Sequence, residues 1–169
     1  MTSPKLAIAL KGLPAGRLDM LPYAAFLDLS FEWVDGELQL IMPFAETLIG
    51  SPGRLHGGSI AGLLELAGLL TVIAAQPEGE SLPRVRPVTV TVDFMREGAG
   101  LETRAAASIT KLGRRVVNVQ AQAWQVKDGQ ASRDKPIAAA HINFVLDWPD
   151  QPKPEREKTD REKPGGPTP

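Results

Sequence analysis

Polar positions all but vanish along residues 55–75. The stretch reads Leu-His-Gly-Gly-Ser-Ile-Ala-Gly-Leu-Leu-Glu-Leu-Ala-Gly-Leu-Leu-Thr-Val-Ile-Ala-Ala, and from Gly57 onward its only charged residue is Glu65. A helix that is apolar on every side is a buried helix. The rest of the pattern has a period of two. Val88, Val90, Val92 and Phe94 alternate with Thr89, Thr91 and Asp93, which predicts a strand. Leu29 to Val34 and Glu37 to Met42 predict a hairpin around Asp35-Gly36. Leu101 to Thr110 and Arg115 to Val126 predict two strands around the turn at Leu112-Gly113. A polar loop from Lys127 to Asp134 with Asp128-Gly129 follows, and Pro136 to Leu146 predicts the last strand. The predicted order is strand, strand, long helix, then four strands.

The connections are marked by breakers. Residues 1 to 17 are mixed, with Gly12, Pro14 and Gly16. Asp19 to Leu27 predicts a short helix packed on the body, with Pro22 tolerated only in its first turn. Phe44 to Arg54 contains Gly50, Pro52 and Gly53 and predicts a loop that delivers the chain to His56. Gln76-Pro77-Glu78-Gly79 stops the long helix, and Pro83 and Pro87 bracket a short connector. From Asp150 to Pro169 there are five acidic residues, five basic residues and five prolines, with no aliphatic or aromatic side chain. Such a stretch cannot bury enough apolar surface to offset its chain entropy. The predicted organisation is an N-terminal arm with a short helix over residues 1–28, one folded domain over 29–148, and a charged, proline-rich tail over 149–169.

Composition narrows the chemistry. A chain of 169 residues with 43% hydrophobic and 23% charged residues is an ordinary globular domain with a sizeable core. Its net charge of −1 gives no electrostatic case for nucleic acid or an anionic membrane surface. With no cysteine and only His56 and His141, thiolate chemistry and a histidine-rich metal site are not expected. No cofactor is expected either. The N-terminus has no basic region followed by a long apolar run, so the cytoplasm is the expected compartment.

Glu65 is the anomaly in the helix. A carboxylate in an apolar site costs several kcal/mol unless it is protonated, paired or reached by water. Function is one reason for a fold to bear that cost. Two bland readings compete. The stretch is long enough to cross a bilayer, but four glycines interrupt it and Glu65 would add a penalty of about 2.5 kcal/mol near mid-membrane. Alternatively, the helix is simply core and Glu65 pairs with an arginine at an interface. The helix opens with His-Gly-Gly, so its free N–H groups at the positive end of the dipole carry no bulky side chains. Such donors suit an oxyanion or a polarised carbonyl.

One buried helix wrapped by an antiparallel sheet of about six strands, in this order, resembles the α+β hotdog fold. Over Leu29 to Leu146 the chain is similar to the phenylacetate-degradation-type acyl-CoA thioesterases of that superfamily. His56-Gly57-Gly58 matches the group's loop-to-helix motif, and Glu65 matches its catalytic carboxylate nine residues after the histidine. Val90-Thr91-Val92-Asp93-Phe94-Met95-Arg96 looks like the group's strand after the helix. Gly113-Arg114-Arg115 looks like its hairpin before the long penultimate strand. One departure stands out. Many members carry Asn or Gln six residues before the histidine, and this chain has Gly50 there, followed by Ser51. Ser51, Thr47 or a backbone group is then the available replacement.

The resemblance implies hydrolysis of an acyl-CoA thioester to a free acid and coenzyme A, the latter entering only as part of the substrate. It implies Gly57 N–H as the oxyanion contact, Gly58 N–H as a docking donor for the acyl group, and Glu65 as general base or nucleophile. Glu65 lies eight residues from Gly57, about 12 Å along the axis at 1.5 Å per residue. One substrate carbonyl cannot readily meet both in one helix. This agrees with the family's pairing of the glycine of one subunit with the carboxylate of another, and a homodimer or dimer of dimers is expected. His56 precedes the helix and is expected to bond the loop backbone at the edge of the substrate site; His141 reads as structural. Arg96, Arg114 and Arg115 are candidates for the coenzyme A phosphates. Two alternatives stand beside the thioesterase. A non-catalytic acyl-CoA-binding or assembly module would explain Gly50. A hotdog hydratase or dehydratase would need a catalytic histidine loop of the His-Phe-Pro-Gly or Asn-Pro-Ile-His type, which is absent here.

Overall fold

The structure, a computed structural model, describes residues 4–77 and 82–149. The elements run α1 (Pro4–Gly12), β1 (Ala15–Arg17), α2 (Pro22–Phe26), β2 (Ser30–Val34), β3 (Glu37–Met42), a 3-10 turn (Glu46–Leu48), β4 (Ile49–Ser51), β5 (Arg54–Leu55), α3 (Gly57–Ala74), β6 (Arg84–Phe94), β7 (Thr103–Leu112), β8 (Val116–Lys127), β9 (Gln130–Ala131) and β10 (Ala138–Asp147). The main sheet is antiparallel with order β1-β2-β3-β7-β8-β10-β6, and β9 pairs with β8 off this path. The six long strands are those expected, and β1 and β9 extend them. This antiparallel sheet around one central helix is the hotdog fold.

The sheet curls around α3, which packs on β3, β6, β7, β8 and β10. A row of small side chains makes the close approach possible. Ala105 lies opposite Ala123, and Ala123 opposite Ala138. All three are fully buried. On the helix side Leu63, Leu64 and Leu70 are fully buried too, each worth about 1.5–3 kcal/mol relative to exposure. The helix long and apolar enough to span a bilayer is thus the core helix of the sheet. Both Asp-Gly turns form as expected, with Asp35 and Gly36 at φ of 50° and 79° and Asp128 and Gly129 at 51° and 76°. Positive φ at both central residues matches the strand twist of a two-residue hairpin.

Three expectations change. Residues 4–12 form a helix rather than mixed structure, because Leu6, Ala7 and Leu10 bury one of its faces in the core. The expected loop from Phe44 to Arg54 contains a 3-10 turn and the β4-β5 ribbon. Pro87 does not bracket a connector but sits inside β6, where Phe144 pairs with Pro87 and Asn143 with Thr89 across a register shift. A strand at the end of the sheet tolerates proline at such a bulge, since no second neighbour needs its missing N–H. The charged stretch 150–169 lies outside the described residues.

Candidate active site

His56 is where the loop ends and α3 begins. Its backbone N–H donates to the Leu48 carbonyl at 2.8 Å, and Leu55 N–H donates to the Gly98 carbonyl at 2.9 Å. The helix start is therefore clamped between the 3-10 turn and the loop after β6. The His56 side chain closes the clamp. Its Nδ1 accepts the Gly58 N–H at 2.9 Å, which caps the helix. Gly58 N–H is thus committed to the cap. The Gly57 N–H has no acceptor among the described residues, so the positive end of an 18-residue helix presents one free donor.

Gly57 lines a cleft of about 420 Å³ together with Ile60, Phe94, Met95, Arg96 and Gly98, among others. A Cβ at Gly57 would touch the Phe94 ring at 3.3 Å. Arg96 borders the cleft, with Nη1 donating to the Pro136 carbonyl at 2.7 Å. On the far rim, Arg54 pairs with Glu97 at 2.8 Å, tying the β4-β5 ribbon to the loop after β6.

The structure separates the other expected residues. Glu65 is half-buried on the face of α3 that also carries Gly58 and Gly62, two helical turns from Gly57. It has no salt-bridge partner among the described residues. Arg114 and Arg115 form the turn between β7 and β8. Their carbonyls accept from Trp148 Nε1 at 3.0 Å and from Leu146 N–H at 2.8 Å. This is the end of the sheet where Asp147 pairs with Arg84, whereas Arg96 follows the end where Ala138 pairs with Phe94. The two ends of β6 are roughly 33 Å apart at 3.3 Å per residue, so the three arginines do not meet within one chain. Ser51 is exposed at the tip of the ribbon, paired with Arg54, and Thr47 is exposed on the 3-10 turn.

Gly50 has a steric reason. A Cβ there would lie 2.9 Å from His56 Cα and 3.1 Å from its ring. The ribbon packs so closely on the helix cap that no side chain fits. Residues around the site to which the sequence assigned no site role are Phe94 and Met95, which line the cleft, and Tyr23, whose ring lies over Gly62. No local signal marks Tyr23, because the helix it covers begins 34 residues later in the chain.

The chain's similarities agree with this arrangement. Residues 49–145 match the model of the acyl-CoA thioesterase N-terminal domain. Among solved structures, a thioesterase family protein from Silicibacter pomeroyi is 22% identical, with a TM-score of 0.69 over 85% of this chain and 98% of that one. A protein from Chromobacterium violaceum is 32% identical, with a TM-score of 0.59 over 76% of this chain and 85% of that one. A Bacillus halodurans protein solved with CoA is 20% identical, with a TM-score of 0.65 over 75% and 78%. No curated protein matches the sequence. The matched segment takes in the β4-β5 ribbon, the capped helix, Glu65, β6 to β8 and most of β10, and by that measure the chain belongs to the acyl-CoA thioesterase family of hotdog-fold thioester hydrolases.

Proposed function

We propose that the chain hydrolyses an acyl-CoA thioester at a site shared by two copies. Gly57 N–H of one copy polarises the thioester carbonyl, and Glu65 of the other activates water or attacks the carbonyl itself. A preorganised donor of this kind is worth about 3 kcal/mol in the transition state. The observation that carries the reading is the free Gly57 N–H at a clamped helix start, with an unpaired Glu65 two turns along the same helix. That separation is too long for both to act on one carbonyl from one chain.

The edge of the sheet supports the pairing. β6 is the last strand of the sheet and eleven residues long, and it exposes Val88, Val90 and Phe94, with Met95 exposed just after it. An exposed apolar run such as Val88 to Phe94 on the last strand of a sheet invites a second strand. Antiparallel pairing of β6 with a second β6 brings the Arg84 end of one copy beside the Phe94 end of the other. Arg114 and Arg115 of one copy then approach the cleft that holds Arg96 of the other, which suits the phosphates of coenzyme A. His56 acts here as the cap that aims Gly57. Gly58 contributes its small size rather than its N–H. The expected setting is the cytoplasm, with a homodimer or a dimer of dimers as the working species and no added cofactor.

The test is a panel of acyl-CoA esters with thiol detection, run with wild type and Glu65→Gln. Hydrolysis of at least one ester by wild type and its loss in the variant is the expected result. Equal rates in both would overturn the assignment of Glu65.

A further inference from the structure

Tyr23 is the side chain that completes the surface around Glu65. α2 is anchored by Ala24 and Leu27, both fully buried. That anchoring turns Tyr23 and Phe26 outward as a flat pair, with ring centroids 6.1 Å apart and planes 13° from parallel. Tyr23 is 47% exposed and Phe26 62%, so the pair offers a bare aromatic surface. The Tyr23 ring presses into α3 where α3 has no side chain. A Cβ at Gly62 would fall 2.5 Å from Tyr23 Cε1, and Tyr23 Oη lies 3.4 Å from the Gly58 carbonyl that it donates to.

The missing side chain at Gly62 leaves a groove in this face of the helix, and the Tyr23 ring occupies its N-terminal part. Glu65 follows Gly62 by three residues, about 4.5 Å along the axis. Helical side chains lean toward the N-terminus, so Glu65 leans over the turn that Tyr23 covers. In the opposite direction α1 packs on α3, and Lys11 Nζ donates to the Gln76 carbonyl at 2.5 Å. An acyl group whose carbonyl reacts at Glu65 and that runs along this face toward the helix start thus meets the Tyr23 ring.

We propose that Tyr23, backed by Phe26, is the wall of the acyl site and sets the size of acyl group the enzyme accepts. The proposal rests on Glu65 being the reactive carboxylate. Removing the ring lengthens the groove, and enlarging it shortens the groove. The Gly62 notch is what lets the hydroxyl-bearing edge of the ring approach the helix.

The experiment measures kcat/KM on a ladder of straight-chain acyl-CoA esters and on branched and arylacyl esters, for wild type, Tyr23→Ala, Tyr23→Phe, Tyr23→Trp and Phe26→Ala. Inhibition by free coenzyme A is measured in parallel. Tyr23→Ala is expected to raise the ratio of long to short ester turnover by about tenfold, the scale on which one or two methylenes are discriminated in an apolar pocket. Tyr23→Trp is expected to move the ratio the other way, and Tyr23→Phe to keep it, because the ring and not the hydroxyl sets the length. Inhibition by coenzyme A should not move in any of them, which separates the acyl wall from a general loss of structure. Should Tyr23→Ala fail to fold, Tyr23→Trp and Phe26→Ala carry the same comparison. A ratio unchanged in folded Tyr23→Ala and Tyr23→Trp, with Glu65→Gln inactive, overturns the wall and leaves the thioesterase reading intact. Wild-type rates in Glu65→Gln overturn that reading and the wall together.

Discussion

Gly50 approaches His56 so closely that a Cβ would stand 2.9 Å from the His56 backbone Cα. The position six residues before the histidine is therefore closed to any side chain by this backbone. Gly50→Asn is expected to push the ribbon off the helix start and cost roughly 1–3 kcal/mol, the range for forcing atoms into a packed site. It should lower turnover rather than raise it. Chemical denaturation and ester hydrolysis of the variant check both; a variant at wild-type stability with faster turnover would refute the closed-site account.

Glu65 has no cationic partner among the described residues. Glu65→Gln should therefore leave stability level or slightly higher, since no buried cation is stranded. Hydrolysis should fall by about 100-fold or more, as when a general base is lost, while binding of a coenzyme A ester persists. Thermal melts, calorimetric titration and single-turnover hydrolysis on one preparation read all three. A drop of about 3 kcal/mol in stability would mark Glu65 as an ion-pair residue instead.

His56 Nδ1 is the helix cap. His56→Ala releases the Gly58 N–H and is expected to cost about 1 kcal/mol, the usual worth of a capping side chain. The larger effect should be on kcat, because Gly57 loses the clamp that aims it. A melt and a kcat measurement that both stay at wild-type values would remove the cap from the account.

The bare edge of β6 makes assembly testable. Val88→Lys and Val90→Lys together place charge on the edge, a device that blocks strand pairing. Light scattering should report single chains, and hydrolysis should fall with assembly because each site needs two copies. Full activity in a monomeric variant would show that one chain suffices.

Asp147 on β10 is hydrogen-bonded by Arg86 on β6 at 2.7 Å, and this bond holds its carboxyl below the ordinary value of 3.8. A folded-state value below the unfolded one contributes stability that is present above pH 3.8 and lost as pH falls through the lower folded value. Wild type should therefore melt higher than Asp147→Asn at neutral pH, and the gap should close in strong acid. Melting curves of both proteins between pH 7 and pH 2 decide it; a constant gap would mean the pair does not titrate with folding.

The sequence by itself determined the central helix, the two Asp-Gly hairpins and the order of the long strands. These depend on local rules: the period of apolar positions, the φ freedom of glycine and the neighbours of one stretch. It also singled out Glu65 and Gly57, because a lone carboxylate and a bare helix start stand out in an apolar run. Only the tertiary structure decided the rest. It made a helix of residues 4–12 by burying Leu6 and Leu10, and it set Arg96 and Arg115 toward opposite ends of β6. It turned Gly50 from a missing side chain into a required contact with His56, and it laid Tyr23 on Gly62, 39 positions later in the chain. Each of these depends on which distant backbones approach within a few ångströms, and that is fixed by packing around the whole sheet rather than by any one segment.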